Sequence, residues 1–193
     1  MRRCFHFLLC FVGLALAGCQ TTPDPMLPEI TFQHLPPIKL NVARIEVVDG
    51  VKEPLAAPHV GHRFPTPPRT GLHTWARDRL QAAGTAGVAR FVIIDADVTE
   101  NRLKLKKGLK GAFTDEQSHR YDAKVSARLE VTGVANLRMA EARAGAERSQ
   151  TIAESATVNQ RERLWFDMVD GLMGDFNAAM EANIRKHLSL VLK

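Results

Sequence analysis

One long amphipathic helix is predicted at the C-terminal end of the chain, from Val158 to Leu192. Thr157 is the predicted N-cap, and Gln160 stands at the spacing of a capping box. At a rise of about 1.5 Å per residue this helix approaches about 50 Å, so it must cross an entire sheet. Its apolar residues recur at intervals of three and four, which keeps one face apolar; they are Trp165, Met168, Val169, Leu172, Phe176, Met180, Ile184, Leu188 and Val191.

The elements that this helix would cover begin with a strand–helix–strand unit. A first strand over residues 38–48 is rich in β-branched residues, but its apolar residues change parity near Ala43, which indicates a bulge or burial on both faces. Thr70 is the predicted N-cap of a helix that ends near Gly84. Residues 89–100 follow as a buried strand, and this order predicts that the two strands are parallel neighbours.

Two further strands are predicted between Tyr121 and Thr151. Apolar and polar residues alternate from Tyr121 to Thr132, as in an antiparallel strand with one wet face. Residues 136–151 are ambiguous, because their composition favours helix while small and charged residues alternate as in a strand. The period of the hydrophobic pattern is a stronger signal than the helix propensity of single residues, so a strand is predicted. The fold class is then α+β: a four-stranded mixed sheet in β-α-β-β-β-α order, with two helices packed on one face, the second being the long C-terminal helix.

The first residues have the features of an export signal. Arg2 and Arg3 precede an apolar run from Phe5 to Leu16, which is too short to span a bilayer and has the order of a secretory signal. The run ends in Leu-Ala-Gly-Cys, which resembles the lipobox of bacterial lipoproteins. The resemblance implies that Cys19 becomes the first mature residue and carries a covalent diacylglycerol and an N-acyl chain, with no other cofactor. Gln20, where an Asp would favour inner-membrane retention, points to the outer membrane and its periplasmic face.

Domain organisation follows from the prolines, all ten of which lie within residues 20–70. We expect residues 1–18 to be a signal peptide that is removed. Residues 19–37 are the acylated N-terminus and a proline-rich tether, because prolines so close together favour an extended chain over a helix. Residues 38–193 form a single periplasmic domain of a length that supports one core.

Cysteine and charge content exclude several classes of protein. Cys4 and Cys10 lie in the predicted signal peptide, so the mature chain holds neither a free thiol nor a disulfide once Cys19 is acylated. A cysteine nucleophile and a cysteine-ligated metal are therefore excluded. The formal charge of +5 includes Arg2 and Arg3, and the mild excess that remains gives no argument for nucleic-acid binding.

A basic segment is the strongest candidate for a binding site. It comprises Arg102, Lys104, Lys106, Lys107 and Lys110, interleaved with leucines. This pattern can set aliphatic side chains against acyl chains while the cations meet phosphates, so the ligand would be anionic lipid or lipopolysaccharide. The alternative is an exposed hairpin that its lysines keep soluble and unpaired. The sequence does not decide between the two.

Two histidines lie three residues apart in the loop before the first helix. His59 and His62 have a spacing that can chelate zinc when a third ligand comes from elsewhere, but no neighbouring residue completes the set. A solvated pair of loop histidines is preferred, and no metal site is predicted. No serine-nucleophile motif is present, so we expect a protein without enzymatic activity. A metal-dependent hydrolase is the least supported alternative.

Two carboxylates share one side of the predicted strand 89–100. Asp95 and Asp97 could do acid–base chemistry as a pair. They also suit the polar face of a sheet whose next strand presents Lys124 and Arg128. Cross-strand charge pairing is therefore predicted for both carboxylates.

The order of elements, from lipid anchor and tether to the long final helix, resembles the periplasmic auxiliary lipoproteins of Gram-negative envelope transport. It is similar to the lipopolysaccharide-assembly (LptE-like) lipoproteins, the auxiliary lipoproteins of lipid-transporting ABC systems and the YajG-like lipoproteins. The resemblance implies a membrane-anchored, non-enzymatic part of an envelope protein complex that transports lipid or assembles the outer membrane. The alternative is a lipoprotein that activates a cell-wall synthase, through the sheet edge or the proline-rich loop 51–69.

Overall fold

The computed structural model describes residues 27–52, 54–104, 116–134 and 137–193. Short 3₁₀ turns lie at Gly61–Arg63 and Ser189–Val191. The strands and helices, in chain order, are β1 (Ile38–Leu40), β2 (Arg44–Asp49), α1 (Pro68–Arg79), β3 (Leu80–Ala82), β4 (Val88–Arg102), β5 (Gln117–Val134), β6 (Leu137–Ala153) and α2 (Val158–His187).

The main sheet contains four strands in the spatial order β2-β4-β5-β6. β2 and β4 are parallel, as the strand–helix–strand order predicts, and the other two pairs are antiparallel. α1 packs against β4 and β5, and α2 packs against β5 and β6. The predicted α+β fold is therefore confirmed. Residues 137–153 form a strand whose alanines pack against the core, so alternation was the correct guide there.

α2 begins as predicted and ends earlier. The Thr157 hydroxyl accepts a hydrogen bond from the Gln160 backbone N–H at 3.2 Å, and the Gln160 side chain accepts one from the Thr157 N–H at 2.8 Å, which completes the capping box. The helix stops at His187 because the chain turns into the second 3₁₀ turn. The C-terminal residues then reach β1, where Leu40 bridges to Leu192.

The predicted first strand, residues 38–48, is in fact two strands in two sheets. β1 pairs in parallel with β3, with Ile38 opposite Leu80, whereas β2 joins the main sheet. Between them the chain bends at residues 41–43. The Ala43 N–H donates at this bend to the carbonyls of residues 86 and 87, at 3.2 and 3.1 Å. Neither a bulge nor burial on both faces explains the change of parity; a change of sheet does.

α1 also differs from its predicted bounds. It begins at Pro68 rather than after Thr70, since proline suits the first helical position, where an N–H would have no helical partner. It ends at Arg79 rather than near Gly84. Leu80 has an extended backbone, with φ −99° and ψ 130°, and starts β3, so pairing with β1 ends the helix.

β4 is buried on one face only, which corrects the prediction of a fully buried strand. Phe91 and Ile93 are buried, whereas Ile94 is 46% exposed. Alternation from Phe91 and Ile93 puts Ile94 on the outer face of the sheet, and the shift in register with β5 between Ile93 and Asp95 then changes the parity, so that Ala96 and Val98 face the core. In the described part of the chain, no helix packs on that outer face.

A buried cation connects the N-terminal segment to both helices. Arg79 is only 1% exposed, and its guanidinium donates to the Pro36 carbonyl, to Asn177 Oδ1 at 3.1 Å and to the Glu181 carboxylate. Trp75 Nε1 donates to the same Asn177 oxygen at 2.9 Å. Because every one of these partners lies on a different turn or segment, Arg79 fixes how α1, α2 and the chain ahead of β1 fit together.

Candidate functional site

The basic segment leaves the end of the β4–β5 pair. Arg102 is the last residue of β4 and stands opposite His119 of β5. Just beyond it the Leu103 N–H donates to the Ser118 carbonyl at 2.8 Å. Arg102 and Lys104 are both exposed. The other candidates in this segment, Lys106, Lys107 and Lys110, and the lipidation site Cys19 lie outside the described residues.

The N-terminal chain joins the body at the same end of the sheet. Leu27 packs against the core and lines an open cavity of about 520 Å³ together with Gln150 of β6 and the first turns of α2. Gln150 of β6 stands opposite Tyr121 of β5, and Tyr121 in turn stands opposite Glu100 of β4. Arg102 follows Glu100 by two residues on the same strand. Strand spacing then puts Arg102 about 12 Å from Gln150. We call this the tether end of the sheet: residues 100–104, 116–121 and 150–153.

An aromatic cluster fixes the long proline-rich loop at the tether end. Phe64 stacks on Trp165 of α2 with ring centroids 4.6 Å apart, and Tyr121 meets the same indole edge-on at 5.6 Å. The Arg63 guanidinium lies 5.8 Å from the Trp165 ring centroid and 3.5 Å from the Glu100 carboxylate. The 3₁₀ turn of the loop is therefore packed in place.

Tyr121 serves in this cluster as a hydrogen-bond donor. Its hydroxyl donates to Glu100 Oε1 at 2.7 Å. Burial, and then the hydrogen bond to Glu100, raise the pKa of Tyr121 to about 12. The phenol therefore keeps its proton at any physiological pH, so the contact with Glu100 is a permanent structural bond.

The chain just ahead of β1 is clipped to the last turn of α1. The Asp78 carboxylate accepts hydrogen bonds from the Thr31 hydroxyl and the Phe32 N–H, each at 3.0 Å. Phe32 and Ile30 are buried in the core. Asp78 and the adjacent Arg79 thus hold successive parts of the segment that leads from Leu27 to β1.

The two loop histidines separate in the structure. His59 Nδ1 lies 2.7 Å from Asp97 Oδ2, and its backbone forms a bridge with Thr99 of β4. His62, in the 3₁₀ turn, is exposed. Across residues 27–52, 54–104, 116–134 and 137–193, no three His, Cys, Asp or Glu side chains converge as metal ligands would.

The paired carboxylates of β4 have different partners. Asp95 Oδ2 lies 3.6 Å from Lys124 Nζ, which confirms the predicted cross-strand pair. Asp97 instead contacts His59, and Arg128 pairs with Glu130 of its own strand at 2.6 Å. The sequence offered no signal for the His59–Asp97 contact, because it depends on how the loop lies across β4.

The outer face of the main sheet carries charged residues in rows. Glu46 of β2 lies 3.0 Å from Arg90 of β4, and Lys124 of β5 also lies 3.7 Å from Glu147 of β6. Opposite charges therefore meet across neighbouring strands at these positions, whereas Arg128 and Arg143, and Glu130 and Glu141, stand opposite each other as like charges. Such pairing suits a solvated face.

The fold defines a small α+β domain in which Leu27 and the exposed Arg102 and Lys104 lie at one end of the sheet. No family model and no curated protein matches the sequence. Solved structures that match include a crystal structure of a minor lipoprotein from Acinetobacter baumannii, 11% identical, covering 75% of this chain and 95% of that one with a TM-score of 0.34. A likeness this distant identifies neither the family nor the function of the chain. Neither helix in the described part of the chain has the length and apolar character of a membrane span.

Proposed function

We propose that the protein is a lipid-anchored envelope lipoprotein whose folded body is a non-enzymatic binding module in a complex that transports lipid or assembles the outer membrane. The Leu-Ala-Gly-Cys motif supplies the anchor at Cys19. The observation that supports the proposal is that Leu27 and the start of the basic segment, Arg102 and Lys104, lie at one end of the sheet.

This juxtaposition gives the anchor a second, electrostatic contact with the membrane. The stretch from Cys19 to Leu27 would span at most about 26 Å when extended. Each basic residue close to an anionic surface contributes on the order of 1 kcal/mol, and the effect decays within a Debye length of about 8 Å at physiological salt. Because the anchor would hold the basic segment close to the membrane, the weak attraction of its lysines to anionic lipid becomes an intramolecular contact with a high effective concentration.

A flotation assay tests the lipid contact. The chain from residue 19 with Cys19→Ser carries no acyl group, so only the body can bind vesicles. In the test variant the four lysines of the segment are reversed in charge: Lys104→Glu, Lys106→Glu, Lys107→Glu and Lys110→Glu. The variant should bind anionic vesicles at least about tenfold more weakly, which corresponds to about 1.4 kcal/mol or more of binding free energy. Its thermal midpoint should be unchanged.

The matched control reverses four exposed lysines away from the segment, Lys39, Lys52, Lys186 and Lys193. It makes the same change in net charge and should float as the parent chain does. Equal flotation of the two quadruple variants would remove the lipid contact from the proposal. Loss of palmitate labelling on Cys19→Ser in the full chain tests the anchor separately.

Crosslinking in cells, followed by purification and mass spectrometry, tests the partner. Recovery of an outer-membrane β-barrel or a subunit of a lipid-transporting ABC system would support the proposed role. Recovery of a peptidoglycan synthase through residues 51–69 would replace it with the alternative, a lipoprotein that activates a cell-wall synthase.

A further inference from the structure

β6 is a long strand at the edge of the main sheet. It has 17 residues, against six in β2 at the opposite edge. Natural edge strands are protected by proline, by charged side chains, above all lysine, or by bulges, and the charged residues of β6 are arginines and glutamates. Residues 137–153 contain no proline and no lysine, and their register with β5 is continuous until the last pair, at Ala153. Among the described residues, no strand pairs with the outer side of β6.

The direction of the backbone groups of β6 can be read from one contact. Asn183 of α2 donates its side-chain N–H to the Arg143 carbonyl at 2.7 Å, so this carbonyl points away from β5. Because the direction alternates along an antiparallel strand, the N–H and C=O groups of the odd-numbered residues 141–149 point outward as well. A carbonyl has two lone pairs, so Arg143 can still accept a further bond.

The residues whose backbone groups point outward are, in order, acidic, basic, glycine, acidic and serine. They are Glu141, Arg143, Gly145, Glu147 and Ser149. When a second copy runs in the reverse direction, the basic residue of each copy meets an acidic residue of the other. If two β6 strands pair antiparallel about a two-fold axis at Gly145, Arg143 of each copy faces Glu147 of the other. An axis one residue earlier would instead face Glu141 with Glu147, two like charges.

A two-fold axis at Gly145 also lets β6 pair along its whole length. Gly145 is the midpoint of Leu137–Ala153, so this register overlaps the strand along its entire length. Under the antiparallel pattern the five outward pairs would exchange about ten backbone hydrogen bonds. Glu147 is 74% exposed and has only the long contact with Lys124 in the described structure, so its carboxylate is accessible to a second copy.

α2 leaves room for a second copy above this axis. Asp175 contacts Arg148 and Asn183 contacts the Arg143 carbonyl, so the part of α2 between them lies over the centre of β6. That part presents exposed alanines, Ala178 and Ala182. Side chains this small let two helices approach closely.

We propose that β6 is a homodimerisation edge: a second copy of this chain pairs with it antiparallel about Gly145 and forms a continuous eight-stranded sheet. The interface is isologous, so each copy contributes the same residues. It depends only on the folded body and is independent of the proposed membrane function.

Cysteine crosslinking in cells tests the axis. A cysteine at the two-fold faces its own copy across a hydrogen-bonded pair, whose Cβ separation of about 5.5 Å is too wide for a direct disulfide but is spanned by a short bismaleimide. This reagent should therefore link the full chain with Gly145→Cys into a dimer in its native envelope. Ser126, which is opposite Gly145 on β5 and on the same face, provides the control. Ser126→Cys and the unsubstituted chain should run as monomers on a denaturing gel, because neither has a cysteine at the axis that could link the two copies covalently. Equal crosslinking at both positions, or crosslinking of Gly145→Cys only with other proteins, would overturn the proposal.

Charge exchange gives a test that does not depend on a substitution at Gly145. In sedimentation of the chain from residue 19 with Cys19→Ser, Arg143→Glu or Glu147→Arg alone should weaken the dimer about tenfold or more, and the two together should restore it. Within the fold, Arg143 stands opposite Arg128 of β5 and pairs with Glu141, so Arg143→Glu relieves one like-charge pair and creates another. A monomeric parent chain at every concentration tested, or a double variant as weak as the singles, would refute the pairing.

Discussion

Removal of the Trp165 side chain is expected to cost about 3 to 5 kcal/mol of folding free energy. The indole is 5% exposed and packs against Phe64 and Tyr121. A buried tryptophan removes about 150–250 Å² from water, which at about 25 cal/mol per Å² is roughly 4 to 6 kcal/mol. Alanine leaves a cavity that the surroundings fill only in part, which adds to the cost. It also removes an indole N–H that is buried without a hydrogen-bond partner among the described residues, which lowers the cost, so the expected range lies slightly below the area estimate.

Urea unfolding followed by fluorescence measures this cost directly. Trp75 is the other of the two tryptophans in the chain; it is fully buried, with its ring 5.4 Å from that of Phe176. Trp165→Ala therefore leaves one internal reporter of the core. Trp165→Phe is the control, because a ring of similar shape can still stack on Phe64, and it should cost about 1 kcal/mol.

A loss of less than about 1 kcal/mol in Trp165→Ala, with an unchanged m-value, would refute the reasoning. It would mean that the N-terminal half of α2 is not docked on the sheet. The position of the proline-rich loop would then be in question as well, since Phe64 rests on the same indole.

Two further predictions concern packing and pH. Ala144 faces the core beneath α2 and is partly buried, so Ala144→Leu should overpack this contact and cost about 1 to 3 kcal/mol in urea unfolding; a neutral result would mean that α2 does not press on β6. Burial by itself raises the pKa of Asp49, but hydrogen bonds from Arg69 and His73 bring it below its usual value of 3.8. The folded state is therefore stabilised above about pH 4, and this contribution is lost as the pH falls through the lowered pKa. Asp49→Asn should flatten the acid limb of the stability–pH curve, and an unchanged limb would contradict this.

Elements whose pattern is local could be predicted from the sequence. The capping box at Thr157 and the three- and four-residue spacing specify α2 almost to the residue at its start. The alternation of alanine with charged residues identifies β6 because an edge strand under a helix needs small residues on one face only. Both signals depend on neighbours a few residues apart.

Features that depend on distant pairing could not be predicted. The chain bends after Leu40 because β1 pairs with residues 80–82, and nothing near residue 40 encodes that partner. The same holds for the contact of His59 with Asp97, 38 residues away. The candidate site shows the limit most clearly: the basic residues were visible in the sequence, but the position of Arg102 at the same end of the sheet as Leu27 follows from the registers of three strands.

The hydrogen bonds of Asp78 and Arg79 to the segment ahead of β1 determine where a mechanical force on the N-terminus would act. A pull on the chain ahead of Leu27 runs first into the segment that Asp78 holds at Thr31 and Phe32, and then into the Pro36 carbonyl held by Arg79. Arg79 passes the load to α2 through Asn177 and Glu181. We therefore expect a pull on the N-terminus to load the two helices before it reaches the strands of the four-stranded sheet on which they pack.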